Sequence, residues 1–350
     1  MSENHNCNKM GWTTNLRVVA TISVIFLHVS SEILYQFGHV SNFVWWTGNI
    51  YDSLVRFCVP IFVMLTGVLM LSRTYKLNDF LKKRFSRIVL PFLFWSVIYA
   101  IFSLNNKISD GSQMSFFTLI KWIIHQLLNG ASYHLWYIYM IIGIYLFIPI
   151  LSKWVQNSTE NEILYFIIIW IFTLFINQPI LSKFRINIDL IYFSGFIGYV
   201  VLGYYLSIKS FGVSKRTINV ISLLLIIIGV SITIGGTYFL SHRNNHFVEY
   251  FYTNNTLNVL MVSIGVFMFF KNLEISNLRI IKAVNFISKY SYGIYLVHVL
   301  VLTFLKTFKI NYGFINPILA IPVTTLLCLL ISNLIIYSLN KLPYGKYIAG

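Results

Sequence analysis

Long apolar runs alternate with short polar segments along the whole chain. A helix needs about 20 mainly apolar residues to cross a bilayer. Ten runs come close to that length: 13–36, 50–71, 88–104, 132–153, 162–181, 190–208, 217–240, 254–270, 288–308 and 315–339. The pattern predicts an all-α, polytopic membrane protein with about ten transmembrane helices. Between the third and fourth runs, the stretch "KWIIHQLL" is typical of a short helix at the membrane interface.

The composition supports the same class. The chain is 57% apolar and only 10% charged, with a mean hydropathy of +0.73, whereas about 25% of the residues of a soluble domain are charged. The first apolar run is long and has no cleavage site, so it is interpreted as an uncleaved span. We expect one membrane domain over residues 1–350, with no appended soluble domain. Cys7, Cys58 and Cys328 match neither a disulfide framework nor a zinc spacing, and no metal is expected.

The distribution of lysine and arginine predicts the orientation. With the N-terminus inside, 17 of the 26 basic residues lie in cytoplasmic segments, 7 lie outside, and Arg17 and Arg56 lie within spans. Cytoplasmic loops carry such an excess of positive charge, so both termini are predicted to be cytoplasmic. The net charge of +16 is therefore explained by topology, and no nucleic-acid partner is expected.

The first run carries two ionisable groups, in "NLRVVATISVIFLHVS". Arg17 and His28 are eleven residues apart, which is about three helical turns, so they share a face and are separated by about 16 Å along the axis. Glu32 follows His28 at i+4 and can reach it on that face. Ionisable groups inside spans are costly and usually functional or paired. The alternative is structural: Arg17 would extend to the interface, and His28 would pack against a carbonyl group.

The second run adds a further buried charge at a similar depth. Arg56 lies about two turns into this run, and Asp52 at i−4 is its structural partner if the arginine has no other role. Pro60 removes a backbone hydrogen bond and predicts a kink. Gly67 permits a close approach of another helix.

The loop "RTYKLNDFLKKRFSRIVLP" is the strongest basic cluster. Arg84 and Arg87 are three residues apart and share a helix face, and Lys83 adjoins them. Paired arginines suit a phosphate group. Ordinary cytoplasmic anchoring of the span is the open alternative.

Two further segments carry aromatic and histidine side chains. "SYHLWYIYM" places Tyr133, His134 and Trp136 at the outer end of the fourth run, as a lip that binds a sugar or as an interfacial aromatic belt. "SKYSYGIYLVHVLVL" places His298 near the middle of the ninth run. A buried structural histidine is the alternative there.

Together these segments resemble the acyltransferase-3 family of integral membrane acyltransferases. The matching pieces occur in order over nearly the whole chain: "NLRVVATISVIFLH", "RFCVPIFVMLTGVLM", "RFSRIVLPFLFWS", "YHLWYIYMIIGIYLFIPIL" and "SYGIYLVH". The resemblance implies a multi-pass protein of the bacterial inner membrane, with acyl-CoA, acetyl-CoA by default, as donor on the cytosolic side. It also implies an outward-facing acceptor hydroxyl on a glycan or lipid-linked sugar, so membrane lipid is a further partner.

The resemblance also suggests residue roles. His28 would be the catalytic histidine, acting as a general base or as a nucleophile that forms an acyl-imidazole. From the residues themselves, Glu32 or another acid could orient its ring, and the donor to the oxyanion could be Arg56, Tyr133 or His134. Coenzyme binding would fall to a basic set: Arg17, Lys83, Arg84 and Arg87. The acceptor would contact a second set: Tyr133, His134, Trp136 and His298.

Two other functions fit part of the pattern. A polysaccharide or lipid-linked sugar transporter would explain ten spans and buried charges, but transporters commonly show internal repeats and none is evident. A non-catalytic partner of a glycan synthase would not need the face that Arg17 and His28 share.

Overall fold

The computed structural model describes residues 11–109, 115–176, 178 and 195–350. All regular structure within these ranges is helical. The helices are α1 Gly11–Leu34, α2 Asn42–Val55, α3 Cys58–Met70, α4 Leu77–Arg84, α5 Leu90–Ser109, α6 Phe116–Asn129, α7 Trp136–Asn157, α8 Glu160–Ile176, α9 Ile197–Ile208, α10 Lys215–Asn244, α11 Leu257–Asn272, α12 Leu278–Thr307 and α13 Pro317–Asn340. A π-helical turn, Phe85–Val89, joins α4 to α5, and short 3₁₀ turns occupy Tyr133–Leu135, Tyr250–Tyr252 and Gly345–Tyr347.

Eight helical stretches of the described chain are long and apolar enough to cross a membrane: Gly11–Leu34, Asn42–Met70, Leu77–Leu104, Tyr133–Asn157, Lys215–Asn244, Tyr250–Asn272, Leu278–Thr307 and Pro317–Asn340. The all-α polytopic class is confirmed. The other two predicted spans, 162–181 and 190–208, coincide in part with α8 and α9, which have 17 and 12 residues. Each of these two spans also includes residues outside the described ranges. The count of ten and the cytoplasmic termini therefore stay predictions.

Helix starts follow local side-chain chemistry. Ser41, Ser214 and Asn277 each accept a hydrogen bond from a backbone N–H in the first turn of the helix that follows. Asn316 does the same for α13, where Pro317 occupies the first helical position. These caps satisfy donors that a helix cannot pair internally, so polar residues next to the apolar runs fix where the helices begin.

Two of the predicted spans are interrupted. The second breaks between α2 and α3, at Arg56 and Phe57, where Pro60 cannot donate to the Arg56 carbonyl group. The third begins with the π-helical turn at Phe85–Val89. π-Turns are rare and frequently lie at functional sites, and this one separates Arg84 from the body of α5.

Helix α1 lies at the centre of the bundle. It packs against α2, α3, α11, α12 and α13. Its buried residues contribute to both main apolar cores: Leu16 and Ala20 to one, Val24 and Ile25 to the other. Polar side chains on the packed faces of α1 are consequently surrounded by other helices, whereas Glu32 near its end is exposed.

Helices α3 and α9 make an unusually close crossing. A Cβ atom on Gly67 would overlap the carbonyl oxygen of Val200, and one on Gly203 would overlap the backbone of Met64. Small residues allow membrane helices to approach to backbone contact. The predicted close approach at Gly67 is confirmed.

The outer surface of α13 is apolar along its length. Leu319, Leu326, Leu330 and Leu334 are each more than half exposed, and their spacing of about four residues places them on one face. A soluble monomer rarely exposes so continuous an apolar surface. The chain is an integral membrane protein in which this face contacts lipid.

Candidate active site

One cavity gathers the polar residues of several spans. It has a volume of about 730 Å³ and is referred to as the histidine cavity. Six of the residues singled out from the sequence line it: His28, Glu32, Arg56, Tyr133, His134 and Trp136. They come from α1, from the break after α2, and from the start of α7, so the tertiary fold brings together the groups that the sequence singled out separately.

A second cavity, of about 460 Å³, collects positive charge and is referred to as the arginine cavity. Its walls include five cations, Arg17, Arg73, Arg84, Arg87 and Lys289, and no aspartate or glutamate. Within the described part of the chain none of these five pairs with a carboxylate. Unpaired guanidinium groups in a recess are suited to bind an anion such as a phosphate.

The predicted basic set is only partly assembled in this cavity. Arg17, Arg84 and Arg87 line it, and the Arg84 guanidinium lies 5.3 Å from the centre of the Tyr145 ring. Lys83 is exposed and is not part of the lining. Arg73, which begins the basic loop, and Lys289 were not assigned to this site; the fold brings both to the lining.

Three histidines from three helical segments form a cluster. The ring centroids of His28 and His298 are 5.2 Å apart with the rings nearly parallel, and those of His134 and His298 are 5.0 Å apart. His298 is fully buried beside His28 and does not line the cavity. Among the described residues no group of three possible ligands has a metal-binding arrangement.

Hydrogen bonds orient two of these rings. His298 Nδ1 lies 2.6 Å from the Tyr295 carbonyl oxygen. It must donate there, which leaves Nε2 as an acceptor in the neutral ring. His134 Nδ1 lies 3.0 Å from Ser132 Oγ. Neither Nε2 atom has a hydrogen-bond partner among the described residues, although both are buried, a situation that costs free energy unless a ligand supplies the partner.

The expected contact between Glu32 and His28 is absent, which corrects that part of the interpretation. The Glu32 carboxylate instead accepts hydrogen bonds from Lys306 Nζ at 3.2 and 3.3 Å, on the surface of the protein. Lys306 lies in the last turn of α12, so the packing of α12 against α1 supplies a stronger partner than the imidazole. Glu32 lines the cavity but does not orient the His28 ring.

Arg56 is held by the predicted ion pair. Its guanidinium contacts the Asp52 carboxylate, with Nε at 2.9 Å from Oδ2, and lies 4.2 Å from the centre of the Tyr252 ring. Asp52 is fully buried and also accepts from Ser30 Oγ at 3.2 Å. The ion pair is confirmed, and it does not remove Arg56 from the cavity wall.

The two cavities meet at a pair of tyrosines. Tyr137 and Tyr295 are the residues common to both linings, and their ring centroids are 5.3 Å apart. The sequence contained a signal for them, since Tyr137 follows His134 by three residues and Tyr295 precedes His298 by three. That spacing places each tyrosine on the same helix face as a candidate histidine.

The comparison with family models bears on this arrangement. The acyltransferase-3 model, described as an acyltransferase domain, matches residues 10–337. The chain belongs to this acyltransferase family. The search of curated proteins and the search of solved structures each returned no match. The matched segment contains every histidine and every charged residue that lines the two cavities.

The mouth of the histidine cavity in this acyltransferase carries polar groups that sequence reasoning did not assign to the site. Glu249, Thr253, Asn254 and Asn255 line it, next to the 3₁₀ turn before α11. Burial, and then the Glu249 carboxylate, raise the pKa of the nearby Tyr35 phenol, whose hydroxyl can donate and accept hydrogen bonds. The mouth therefore offers amides, a carboxylate and phenols, which suit a hydroxyl-rich ligand.

Proposed function

We propose that this acyltransferase moves an acetyl or another short acyl group from cytosolic acyl-CoA to a hydroxyl of a cell-surface or lipid-linked glycan. One observation carries the proposal: a basic cavity and a histidine cavity share a wall inside the bundle. The basic cavity suits an anionic donor and the other suits a polar acceptor. The bacterial inner membrane is the proposed location, and the resemblance to the acyltransferase-3 family supports it.

The donor half of the proposal rests on charge and shape. Coenzyme A carries a pyrophosphate and a 3′-phosphate, and Arg17, Arg84 and Arg87 line the arginine cavity, whose lining has no aspartate or glutamate. Arg73 and Lys289 extend that surface. The pantetheine arm is long, thin and mostly uncharged, so it suits the aromatic passage between the cavities. Lys83 would act only outside the cavity.

The chemical step needs a base near the acceptor hydroxyl. The hydroxyl oxygen attacks the thioester carbon, the carbon–sulfur bond breaks, and His28 accepts the hydroxyl proton and returns it to the departing thiolate. General base catalysis of this kind typically contributes about 10²–10⁴-fold in rate. Arg56 is the proposed donor to the oxyanion. An acyl-imidazole on His28 is the variant mechanism.

The acceptor half rests on the walls of the histidine cavity. Tyr133 and Trp136 are 65% and 44% exposed, so their rings are available to stack on a sugar. His134 adds a buried imidazole to the same wall. His298, behind it, would act through its neighbours. We propose a glycan because the overall sequence pattern resembles that of the enterobacterial common antigen O-acetyltransferase and of the intercellular adhesin locus membrane protein.

The proposal is tested by calorimetry of acetyl-CoA binding in detergent, together with transfer of labelled acetyl groups to extracted glycan. Wild type should bind saturably. Arg17→Ala and Arg87→Ala should bind more weakly, because each removes an unpaired cation from the donor cavity. His28→Ala should bind normally and fail to transfer. Lys83→Ala is the matched control, since its side chain lies outside the cavity.

Two results would overturn the proposal. Absence of acetyl-CoA binding by well-folded wild type would remove the donor site, and transport of glycan without a donor would then favour a transporter. Wild-type transfer by His28→Ala would remove the catalytic role of that histidine.

A further inference from the structure

The wall between the two cavities consists of two tyrosines that are held very differently. The Tyr295 hydroxyl donates to the backbone carbonyl oxygen of His134, and its ring packs against the rings of His134 and His298, with centroids 5.6 Å away in each case. Tyr295 is 8% exposed. A ring that is buried and bonded at its tip stays in place.

Tyr137 has no comparable restraint. Its side chain is half-buried, and its hydroxyl makes no hydrogen bond within the part of the chain that the structure describes. It is held by ring contacts with Phe62, Trp136 and Tyr295, with centroids at 6.1, 6.4 and 5.3 Å. Contacts of this kind can be exchanged for contacts with a ligand at little cost.

We propose that Tyr137 is a displaceable barrier between the arginine and histidine cavities, with Tyr295 as its fixed seat. In the empty protein the Tyr137 ring closes the passage. Displacing this ring joins the two cavities. Apart from Tyr137 and Tyr295, no residue of the described chain belongs to both linings.

A barrier is needed because the cavities approach each other inside a membrane domain. Each contains polar groups, so a permanent connection would let water, and with it protons and ions, cross the bilayer. The second part of the inference rests on the proposed function: the thioester arm of the donor displaces Tyr137 to reach His28. Tyr137 is then a positioning residue that acts on the path of the donor and not on the acyl group.

The barrier is tested with a thiol reporter. Ser31 lines the histidine cavity one turn beyond His28, and Ser31→Cys is made in a full-length chain carrying Cys7→Ser, Cys58→Ala and Cys328→Ala. A charged, membrane-impermeant thiol reagent is added to one side of proteoliposomes at a time. If the passage is open in only about 0.1–10% of molecules, labelling through it is at least about tenfold slower than through a permanently open passage. Tyr137→Ala should therefore raise labelling from the arginine side by at least about tenfold.

Tyr145→Ala is the matched control. Tyr145 lies on the same helix and lines the arginine cavity only, so its removal should leave the arginine-side rate unchanged. Labelling from the histidine side reports folding, and Tyr137→Val replaces Tyr137→Ala if that rate falls. An unchanged arginine-side rate in a folded Tyr137 variant would overturn the barrier, as would an equal rise in Tyr145→Ala.

A last measurement separates the barrier from the proposed function. Acetyl-CoA on the arginine side should slow labelling of Ser31→Cys from the histidine side when Tyr137 is present, because the thioester arm occupies the cavity. Protection would support both ideas. If acetyl-CoA left the labelling rate unchanged while Tyr137→Ala still accelerated labelling, the barrier would stand and the passage of the donor arm would be overturned.

Discussion

Glu32 lies one helical turn beyond His28, yet its carboxylate binds Lys306 instead of the imidazole. Both side chains of that ion pair are about half exposed, at 43% and 57%, and exposed pairs contribute about 0–1 kcal/mol. Glu32→Gln should therefore retain most of the acyl transfer and lower the free energy of unfolding by less than about 1 kcal/mol. Transfer assays that compare Glu32→Gln with His28→Ala check this. A loss of transfer as large as that of His28→Ala would restore a catalytic role for Glu32.

Asp52 and Arg56 present the opposite case, because both are inside the bundle. Asp52→Asn leaves the Arg56 guanidinium buried without its counter-charge, which should cost about 3–5 kcal/mol. Asp52→Asn combined with Arg56→Gln removes both charges and should recover a large part of that loss. Unfolding by SDS in mixed micelles measures these two variants and the single variant Arg56→Gln.

The same three variants separate structure from chemistry at Arg56. The double variant should regain stability while transfer stays low, since the proposed oxyanion donor is still missing. If transfer returned together with stability, Arg56 would be a structural residue only. If the stability loss of the double variant equalled the sum of the losses in the two single variants, the ion pair would not couple Asp52 and Arg56.

Whole helices were the part of the fold that the sequence predicted best. Apolar runs marked the spans, but the helix starts at capping residues such as Ser41 and Asn277 lie well before these runs and were not predicted. The interruptions were harder to foresee. Pro60 signalled the break after α2. The π-turn at Phe85–Val89 contains no proline or glycine, but Pro91 follows it and cannot donate to the Arg87 carbonyl group, a signal that the sequence interpretation did not use.

The crossing of α3 and α9 gives a prediction for these two elements. Gly67→Ala places a methyl group against the Val200 carbonyl oxygen, so the helices must separate, at a cost of about 1–3 kcal/mol or more. Gly143→Ala is the matched control, because nothing lies within 4 Å of its added Cβ. It should be neutral or stabilising by up to about 1 kcal/mol, as expected for alanine in a helix.

Thermal inactivation of the two glycine variants in detergent distinguishes them. A lower midpoint for Gly67→Ala alone would support backbone contact between α3 and α9. Equal midpoints would show that the bundle accommodates the extra methyl group by a rigid shift.

At the scale of the molecule, the sequence predicted the site's members better than their contacts. His28, His134 and Arg56 were identified from their unusual positions in apolar runs, and the fold brings them to one cavity. Lys306 could not be assigned to Glu32, because the two are 274 residues apart. Tyr137 and Tyr295 shared helix faces with candidate histidines, but only the fold shows that they separate two cavities.

The separation of the cavities makes the reaction depend on the side of the membrane. With 17 basic residues predicted inside and 7 outside, the arginine cavity is predicted to face the cytoplasm together with both termini. Acetyl-CoA carries phosphates and does not cross a bilayer. It should therefore support transfer only when it is added on the predicted cytoplasmic side, which is the side where added protease cleaves a C-terminal tag. Proteoliposomes with acceptor glycan on the opposite side test this. Transfer when acetyl-CoA is added on the side opposite the tag would place the donor in the histidine cavity. Equal transfer from both sides would contradict a closed wall at Tyr137 and Tyr295. Such a wall stops the thioester arm from one direction, so only one face of the protein can receive the donor.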